Sequence, residues 1–286
     1  MSFSDWIIAN GEDLQFLVFF GLLPLLLGLE RLIPRRPGPM HRKQRWPANF
    51  SLTGASILSL GIMPVSLVGS AAFAHAHGWG LLNWVALPVP AVIAVSLLIR
   101  GFISFFTHYL MHKIPLLWRI HRVHHLDTEM DVTTTVRVHP LEFFVGALPG
   151  IPFVIAFGLE RWVLVFYETL DVVITLWTHS NVRLPPLING LFRYLVVTPD
   201  VHRIHHSAWQ PETDSNFGAV FPIWDLVFGT YRAEPRDGHE RMRIGLNEVR
   251  GPSAHRFVWL LGSVRNQELT DDGAKRPKAS TQPVSR

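Results

Sequence analysis

The sequence predicts an all-α, polytopic membrane protein with four or five transmembrane helices and a histidine-rich helical cap on the cytoplasmic side. Three observations predict it. Hydrophobic residues make up 48% of the 286 residues against 17% charged, and the mean hydropathy is +0.22, too apolar for an ordinary soluble domain. Long apolar stretches recur down the chain, well past the reach of a signal peptide. Two nearly identical words, HRVHH at 121–125 and HRIHH at 202–206, stand about eighty residues apart in a chain with 15 histidines.

The first span begins in LQFLVFFGLLPLLLGL (14–29) and runs on to about Ile33, with Pro24 a tolerable kink in a membrane helix. A second runs from about Phe50 to Ala74. The third starts near Pro88 as PVPAVIAVSLLIRGFISFFTHYLMHK. Arg100 within it is expensive in hydrocarbon and must snorkel, pair or face the protein interior. The last turns of this span carry His108 and His112. LEFFVGALPGIPFVIAFG (141–158) and RWVLVFYETLDVVITLW (161–177) form a tight hairpin. Pro149 and Pro152 make the first arm kinked or only re-entrant, which leaves the count at four or five.

Charge sets the orientation. Arg35, Arg36, Arg42, Lys43 and Arg45 crowd the first loop, whereas residues 75–88 contain no Lys or Arg, so the basic loop is expected in the cytoplasm. With five spans the acidic N-terminus (Asp5, Glu12, Asp13) falls outside, and 113–140 and 181–286 fall inside. Both HRxHH words then share one aqueous face. The excess of Lys and Arg over acids, 26 against 22, lies between apolar spans rather than in a basic stripe with stacking aromatics. It fits lipid headgroups and topology, not nucleic acid. From Glu268 the chain reads ELTDDGAKRPKASTQPVSR, a tail expected to be disordered.

Cysteine is absent, which excludes disulfides, thiolate-ligated haem, cysteine-ligated iron–sulfur clusters and Cys-rich zinc sites. Any metal must rest on nitrogen and oxygen. On a helix, positions i, i+3 and i+4 fall within roughly a 100° arc, so His121, His124 and His125 can converge, as can His202, His205 and His206. His108 and His112 share a face at i, i+4. Eight imidazoles near one membrane surface would repel one another as cations and waste hydrogen-bonding capacity if neutral. A divalent transition metal resolves both problems, and so many ligands suit two ions better than one. No Glu-x-x-His occurs, which excludes a ferritin-like carboxylate bundle, and no His-Glu-x-x-His, which disfavours a zinc protease. His41, His75, His77, His239 and His255 fall outside the pattern and are expected to be solvated.

The ordered set HYLMH, HRVHH, HRIHH resembles the histidine boxes of the membrane-bound fatty acid hydroxylase/sterol desaturase superfamily. VRVHPLE (136–142), HSNV (179–182) and SNFGAVFPIWDLVFGTY (215–231) are also similar to it, so the resemblance runs from about Leu97 to Tyr231. It implies a non-haem centre of two iron ions that activates O2 for attack on a C–H bond of a lipid, with zinc a possible substitute on overexpression. By matching motif, the implied catalytic and metal-ligating residues are His108, His112, His121, His124, His125, His202, His205 and His206. His179, at the cytoplasmic end of the last span, stands where the resemblance often implies one more metal ligand, and His139, in a His-Pro at a helix start, fits a capping role better than a ligand role; whether either is a ligand stays open. On this reading residues 1–88 hold N-terminal spans and the basic loop, 89–267 a fatty acid hydroxylase-like catalytic domain, and 268–286 the tail.

Asp127, Glu129, Asp131, Glu142, Asp200, Asp214 and Asp225 are candidates to orient ligands from behind. Phe105, Phe106, Phe143, Phe144, Phe166 and Trp177 are candidate walls of a substrate channel. No dinucleotide fingerprint or P-loop appears, so a separate electron donor of ferredoxin or cytochrome type is expected, with Arg119, Arg122, Arg193 and Arg203 as its docking surface. The lipid is a sterol, fatty acyl, alkyl ether or carotenoid, and hydroxylation, desaturation and ether cleavage all stay open. The competing class is a histidine-rich metal transporter or metal-binding membrane protein, though transport prefers ligands at the bilayer midplane. A bacterial inner membrane is favoured over the endoplasmic reticulum, with the active site cytoplasmic.

Overall fold

The computed structural model describes residues 1–269; the polar tail, from residue 270 on, lies outside the described residues. Among those residues the fold is all-helical, with two isolated bridges, Pro34 to Val182 and Ser207 to Ile244, and no strands. Helix α1 (Phe3–Leu32) begins at a capping box: Ser2 accepts from the Asp5 amide and Asp5 accepts from that of Ser2. It therefore starts eleven residues before the apolar run at Leu14 that marks it in the sequence. It packs along α8 (Arg161–His179), where any side chain at Gly11 would collide with Val165. Leu23 and Leu26 meet Val132, Leu176 and Val182 at the other end of that seam.

The expected second span is not one helix. It divides into α2 (Arg42–Leu60) and α3 (Leu67–Ala76), because Gly61 and Pro64 interrupt the apolar run between them. The helix α4 (Val89–Lys113) matches the third span. By length and composition, α1 and α4 are the two described helices able to cross a membrane. The first arm of the hairpin is broken into α6 (Leu141–Ala147) and α7 (Gly150–Phe157), the kinked alternative, and its second arm is α8. Helices α3, α4, α7 and α8 share a core of Leu67, Ala71, Ile103, Val154 and Leu164.

Prolines set the bends that gather the histidines. Ile114, forced out of the helical region by the following Pro115, is extended, so α4 ends and α5 (Pro115–His125) starts across a one-residue elbow. That folds HRVHH back over His108 and His112. Thr198 is likewise extended before Pro199, which starts α9 (Pro199–His205) and aims HRIHH at the same place. Behind α5, Val123 and Leu126 pack with Ala48 and Leu52 of α2 and Leu260 of α10 (Phe257–Ser263).

A buried ionic platform ties α2 to the segment after α5. Arg45 is fully buried and grips both oxygens of Asp127, the second at 2.7 Å, and Asp131 at 3.0 Å. Asn49 adds contacts to Asp127 and Thr133 and accepts from Arg137, which also donates to the carbonyls of Val123 and Ala254. Burial pushes the Asp127 carboxyl up, but the Arg45 guanidinium outweighs it and holds the group down at about 2. Arg45, expected in a solvated basic loop, is thus a core residue.

Candidate metal centre

The nine candidate rings gather into two adjoining groups. His108, His112, His121, His125 and His205 form one, and His124, His179, His202 and His206 the other; within each, the ligating nitrogens lie within 4.8 Å of one another. The groups abut: the rings of His125 and His206 stack 4.7 Å apart, and His124 and His206 meet at 4.6 Å. His139 lies outside both groups, its Nδ1 accepting from the Leu141 amide at the start of α6.

Hydrogen bonds settle which nitrogen faces inward. Nδ1 donates to the Phe217 carbonyl from His108 (2.8 Å), to that of Arg137 from His124 (3.2 Å), to that of Thr175 from His179 (2.8 Å) and to that of Ser215 from His205 (2.8 Å). A carbonyl only accepts, so each of these rings carries its proton on Nδ1 and a bare lone pair on Nε2. The Glu142 carboxylate fixes His121 in the same way at 2.8 Å. The Nε2 atoms of His108 and His121 then face each other at 3.0 Å, as do those of His124 and His179. Two lone pairs cannot hydrogen-bond to each other. Two nitrogens each ~2.1 Å from one ion and at right angles about it lie ~3.0 Å apart, so the residues fit a transition metal in each group.

Electrostatics agree. Burial first, and then neighbouring imidazoles, hold His124, His125, His202 and His206 well below the usual histidine value and push His205 down to about 3. These rings are neutral at physiological pH, the form that binds metal.

The three outlying words supply the supports. In VRVHPLE, the Arg137 carbonyl orients His124 and Glu142 orients His121. In HSNV, His179 is a group member, the Ser180 carbonyl accepts from Arg203, and Asn181 bonds Arg36 in both directions and donates its amide N–H to Glu30. In the third word, Ser215 and Phe217 orient His205 and His108, while Asp225 accepts from the amides of Phe217 and Gly218 and from Thr230. A side chain at Gly218 would strike the Phe221 carbonyl and Asp225, so only glycine lets this loop close.

Of the expected carboxylates, Glu142 alone hydrogen-bonds a ring of the centre; Asp214 lies 3.4 Å from His112 Nδ1, and Asp225 acts through the Phe217 loop. Asp127 and Asp131 serve the platform, Asp200 pairs with Arg35 and Arg203, and Glu129 lies 3.8 Å from His41. His239, expected in solvent, is buried between Asp200 and Glu234, and His255 is half-buried. The expected docking arginines are largely spent inside the fold: Arg122 donates to the last carbonyls around α10, Arg203 to Asp200 and Ser180, and Arg193 to Tyr231 and Glu234. Arg119 is half-buried.

A cavity of about 260 Å³ opens on the centre, walled by His108, His121, His124, His179 and His202 on one side. Ile103, Thr107, Met111, Thr178 and Ala219 form much of the rest, and Arg100 and Asp171 also face it. None of the six aromatic residues expected as channel walls lines this cavity. Phe105 packs on Phe228 and Phe106 on Phe153 instead.

These features define a helical, histidine-only pair of candidate metal sites beside a cavity that opens on both. Residues 93–230 match the fatty acid hydroxylase family. The chain is 32% identical over 176 residues to ornithine lipid hydroxylase OlsE of Rhizobium tropici, covering 61% of this chain and 51% of that protein. It is 27% identical over 141 residues to human alkylglycerol monooxygenase, covering 49% and 29%, and 23% identical over 204 residues to mouse lathosterol oxidase, covering 68% and 58%. The chain thus spans about half the length of the first of these relatives and under a third of the second. No solved structure matches it significantly. The chain carries a fatty acid hydroxylase domain and belongs to the fatty acid hydroxylase/sterol desaturase superfamily.

Proposed function

We propose that this chain is a membrane-bound di-iron oxygenase that uses O2 and external electrons to hydroxylate or desaturate a lipid. The observation that carries the reading is the pair of facing lone-pair contacts, His108 to His121 and His124 to His179, one in each group. All nine histidines are assigned as ligands, five to one iron and four to the other. When bound, the two irons supply the electron storage that lets O2 react with an unactivated C–H bond. The residues do the rest. Carbonyls of residues 137, 175, 215 and 217 and the Glu142 carboxylate hold five of the nine rings, His108, His121, His124, His179 and His205, at fixed tautomer and angle, so these reorganise little during turnover. Ile103, Met111 and Ala219 exclude bulk water and present the reacting carbon to the inner faces of His108, His121 and His179.

Hydroxylation consumes one O2, two electrons and two protons; one oxygen enters the product and the other leaves as water. A ferredoxin- or cytochrome-type protein is the proposed electron source, docking on the cytoplasmic face. The uneven Lys/Arg distribution supports that orientation, and the bacterial origin of one relative supports a bacterial inner membrane. The printed activities of the relatives, on an ornithine lipid, an alkylglycerol and a sterol, support a lipid substrate. Metal transport is the weaker reading, since rings locked by second hydrogen bonds suit a resident ion rather than a passing one.

The test is metal analysis and Mössbauer spectroscopy after iron-supplemented expression, with lipidomics of cells with and without the chain. Two irons per chain and an O2-dependent gain of one oxygen, or loss of two hydrogens, in a lipid are expected. A single mononuclear site, or no lipid change with iron loaded and a donor supplied, overturns the reading.

A further inference from the structure

The cavity has a second pole, remote from the histidines. Arg100 lies eight residues before His108 on α4, and Asp171 lies eight residues before His179 on α8. At 1.5 Å per residue both sit about 12 Å along their helices from the ligands, and both line the cavity that His108 and His179 line at its other end. Arg100 is buried, stacks on the Tyr167 ring at 4.5 Å and donates to Ser104 at 2.6 Å. Arg100 makes no direct ion pair with Asp171, although its charge acts on the buried carboxyls of Asp171 and of Glu168 beside it. Five buried polar atoms of cavity-lining residues have no hydrogen-bond partner: Thr107 Oγ1, Glu142 Oε2 and His202 Nδ1 at the histidine end, and Arg100 Nε and Asp171 Oδ1 at the other.

An unpartnered polar atom in a buried site is costly, more so when charged, and a ligand that supplies the partner recovers that cost. Ionisable side chains inside membrane helices mark substrate pathways when they face a cavity. A pocket meant only for an alkyl chain has no use for a guanidinium and a carboxylate at one end. We infer that the Arg100–Asp171 end of the cavity binds the polar part of the substrate, an amphiphile whose headgroup carries an anion for Arg100 and an ammonium for Asp171. The carbon oxidised is then about 12 Å from the headgroup, the separation of the two poles of the cavity. The inference rests on the oxygenase reading for its chemistry, and its own content is substrate class.

Both amino-acid lipids and ethanolamine phospholipids supply an anion and an ammonium, and the arms of the test separate them. Full-length, metal-loaded protein in neutral detergent is titrated without O2 against four probes: Nα-palmitoyl-lysine, Nα-palmitoyl-norleucine, a short-chain phosphatidylethanolamine and 1-O-hexadecylglycerol. Tighter binding of palmitoyl-lysine or of the phospholipid than of hexadecylglycerol, by about tenfold or more, is expected; whichever wins names the source. Arg100→Gln should remove that preference and Arg100→Lys should keep part of it. Asp171→Asn should erase the advantage of palmitoyl-lysine over palmitoyl-norleucine and leave the latter unchanged. Iron content and monodisperse elution report folding for each variant. The inference is overturned if hexadecylglycerol binds as tightly as the zwitterions, or if well-folded variants alter all probes alike. O2-dependent oxidation of hexadecylglycerol that ignores Arg100 overturns this inference and leaves the oxygenase reading standing. Zwitterion selectivity with iron bound and no oxidation of any lipid does the reverse.

Discussion

HRVHH and HRIHH are the same word used in opposite senses. The first sends His121 and His125 to the five-ring group and His124 to the four-ring group; the second sends His202 and His206 to the four-ring group and His205 to the five-ring group. At about 100° per residue, i and i+4 lie roughly 40° apart and i+3 about 60° to the other side. Each word therefore grips one site with two rings and reaches across to the other with one. The repetition answers a geometric need: two adjacent sites, each braced by both helices, so that neither helix moves without disturbing both. The groups differ in what surrounds this exchange. The four residues of the smaller group are wholly buried, whereas His108 and His112 of the other are half-buried as residues, the His112 ring itself being enclosed.

Breaking the exchange is the largest perturbation. His124→Ala and His205→Ala each remove a crossing ring, and each should reduce O2-dependent lipid oxidation by about a hundredfold or more, the upper range seen for disrupted metal sites. The double variant should be little worse than either single, because the two rings serve one unit. His75→Ala, exposed in the last turn of α3, should leave turnover intact. Product formation is followed with iron content alongside, and retained turnover in either box variant breaks the shared-centre account.

A gentler change separates the two groups. Glu142 orients only His121, so Glu142→Ala should loosen the five-ring group by about tenfold to a hundredfold in metal affinity and spare the other. Dialysis against a chelator should then strip one iron well before the second. Simultaneous loss of both would mean that the groups do not hold metal independently.

That these rings could converge was legible because helical spacing is local: i, i+3 and i+4 can be read from five letters. The exchange between words was not, because it depends on the angle between α5 and α9. The supports were hidden for the same reason. Arg45 meets Asp127 across 82 positions, and its place in a cluster of five basic residues argued for solvent. The backbone carbonyls that fix His108 and His205 have no side-chain signature, although Gly218 and Asp225 in the quoted word marked the loop that carries them. The expected span over 50–74 failed at Gly61–Ser66, where apolar letters masked a break that the glycine and proline already declared.

Burial treats His239, outside the centre, as it treats the rings inside. Burial lowers its pKa to about 4, opposed by Asp200 and Glu234 and reinforced by Arg203 and Arg35. The unfolded chain binds this proton below about 6.5 while the folded chain does not until about 4, so stability falls as pH drops through that window. If the nine rings of the centre hold metal, the loaded protein keeps them from protonating, and His239 then contributes alongside His139 and His255, which burial also lowers. His239→Gln should flatten denaturation midpoints between pH 6.5 and 4 by up to about 1 kcal/mol per pH unit. An unchanged slope would place the pH dependence elsewhere.

The smallest effect is expected at His112. It is the one ring of the nine whose two nitrogens both lack a hydrogen bond, with Asp214 3.4 Å from Nδ1 as its nearest acid. It also belongs to the larger group, so its loss leaves four rings, the number the other group has from the start. His179, by contrast, is fixed by the Thr175 carbonyl and contacts both His124 and His202 through Nε2. Loss of a poorly oriented fifth ligand forfeits less than loss of a locked one from a set of four. His112→Ala should therefore keep two irons and lose no more than about tenfold in turnover, whereas His179→Ala should lose an iron and most activity. Iron counts and rates measured side by side decide it. If the order reverses, His112 is held in the loaded protein by contacts that metal binding itself creates, with Asp214 the first candidate to close on Nδ1.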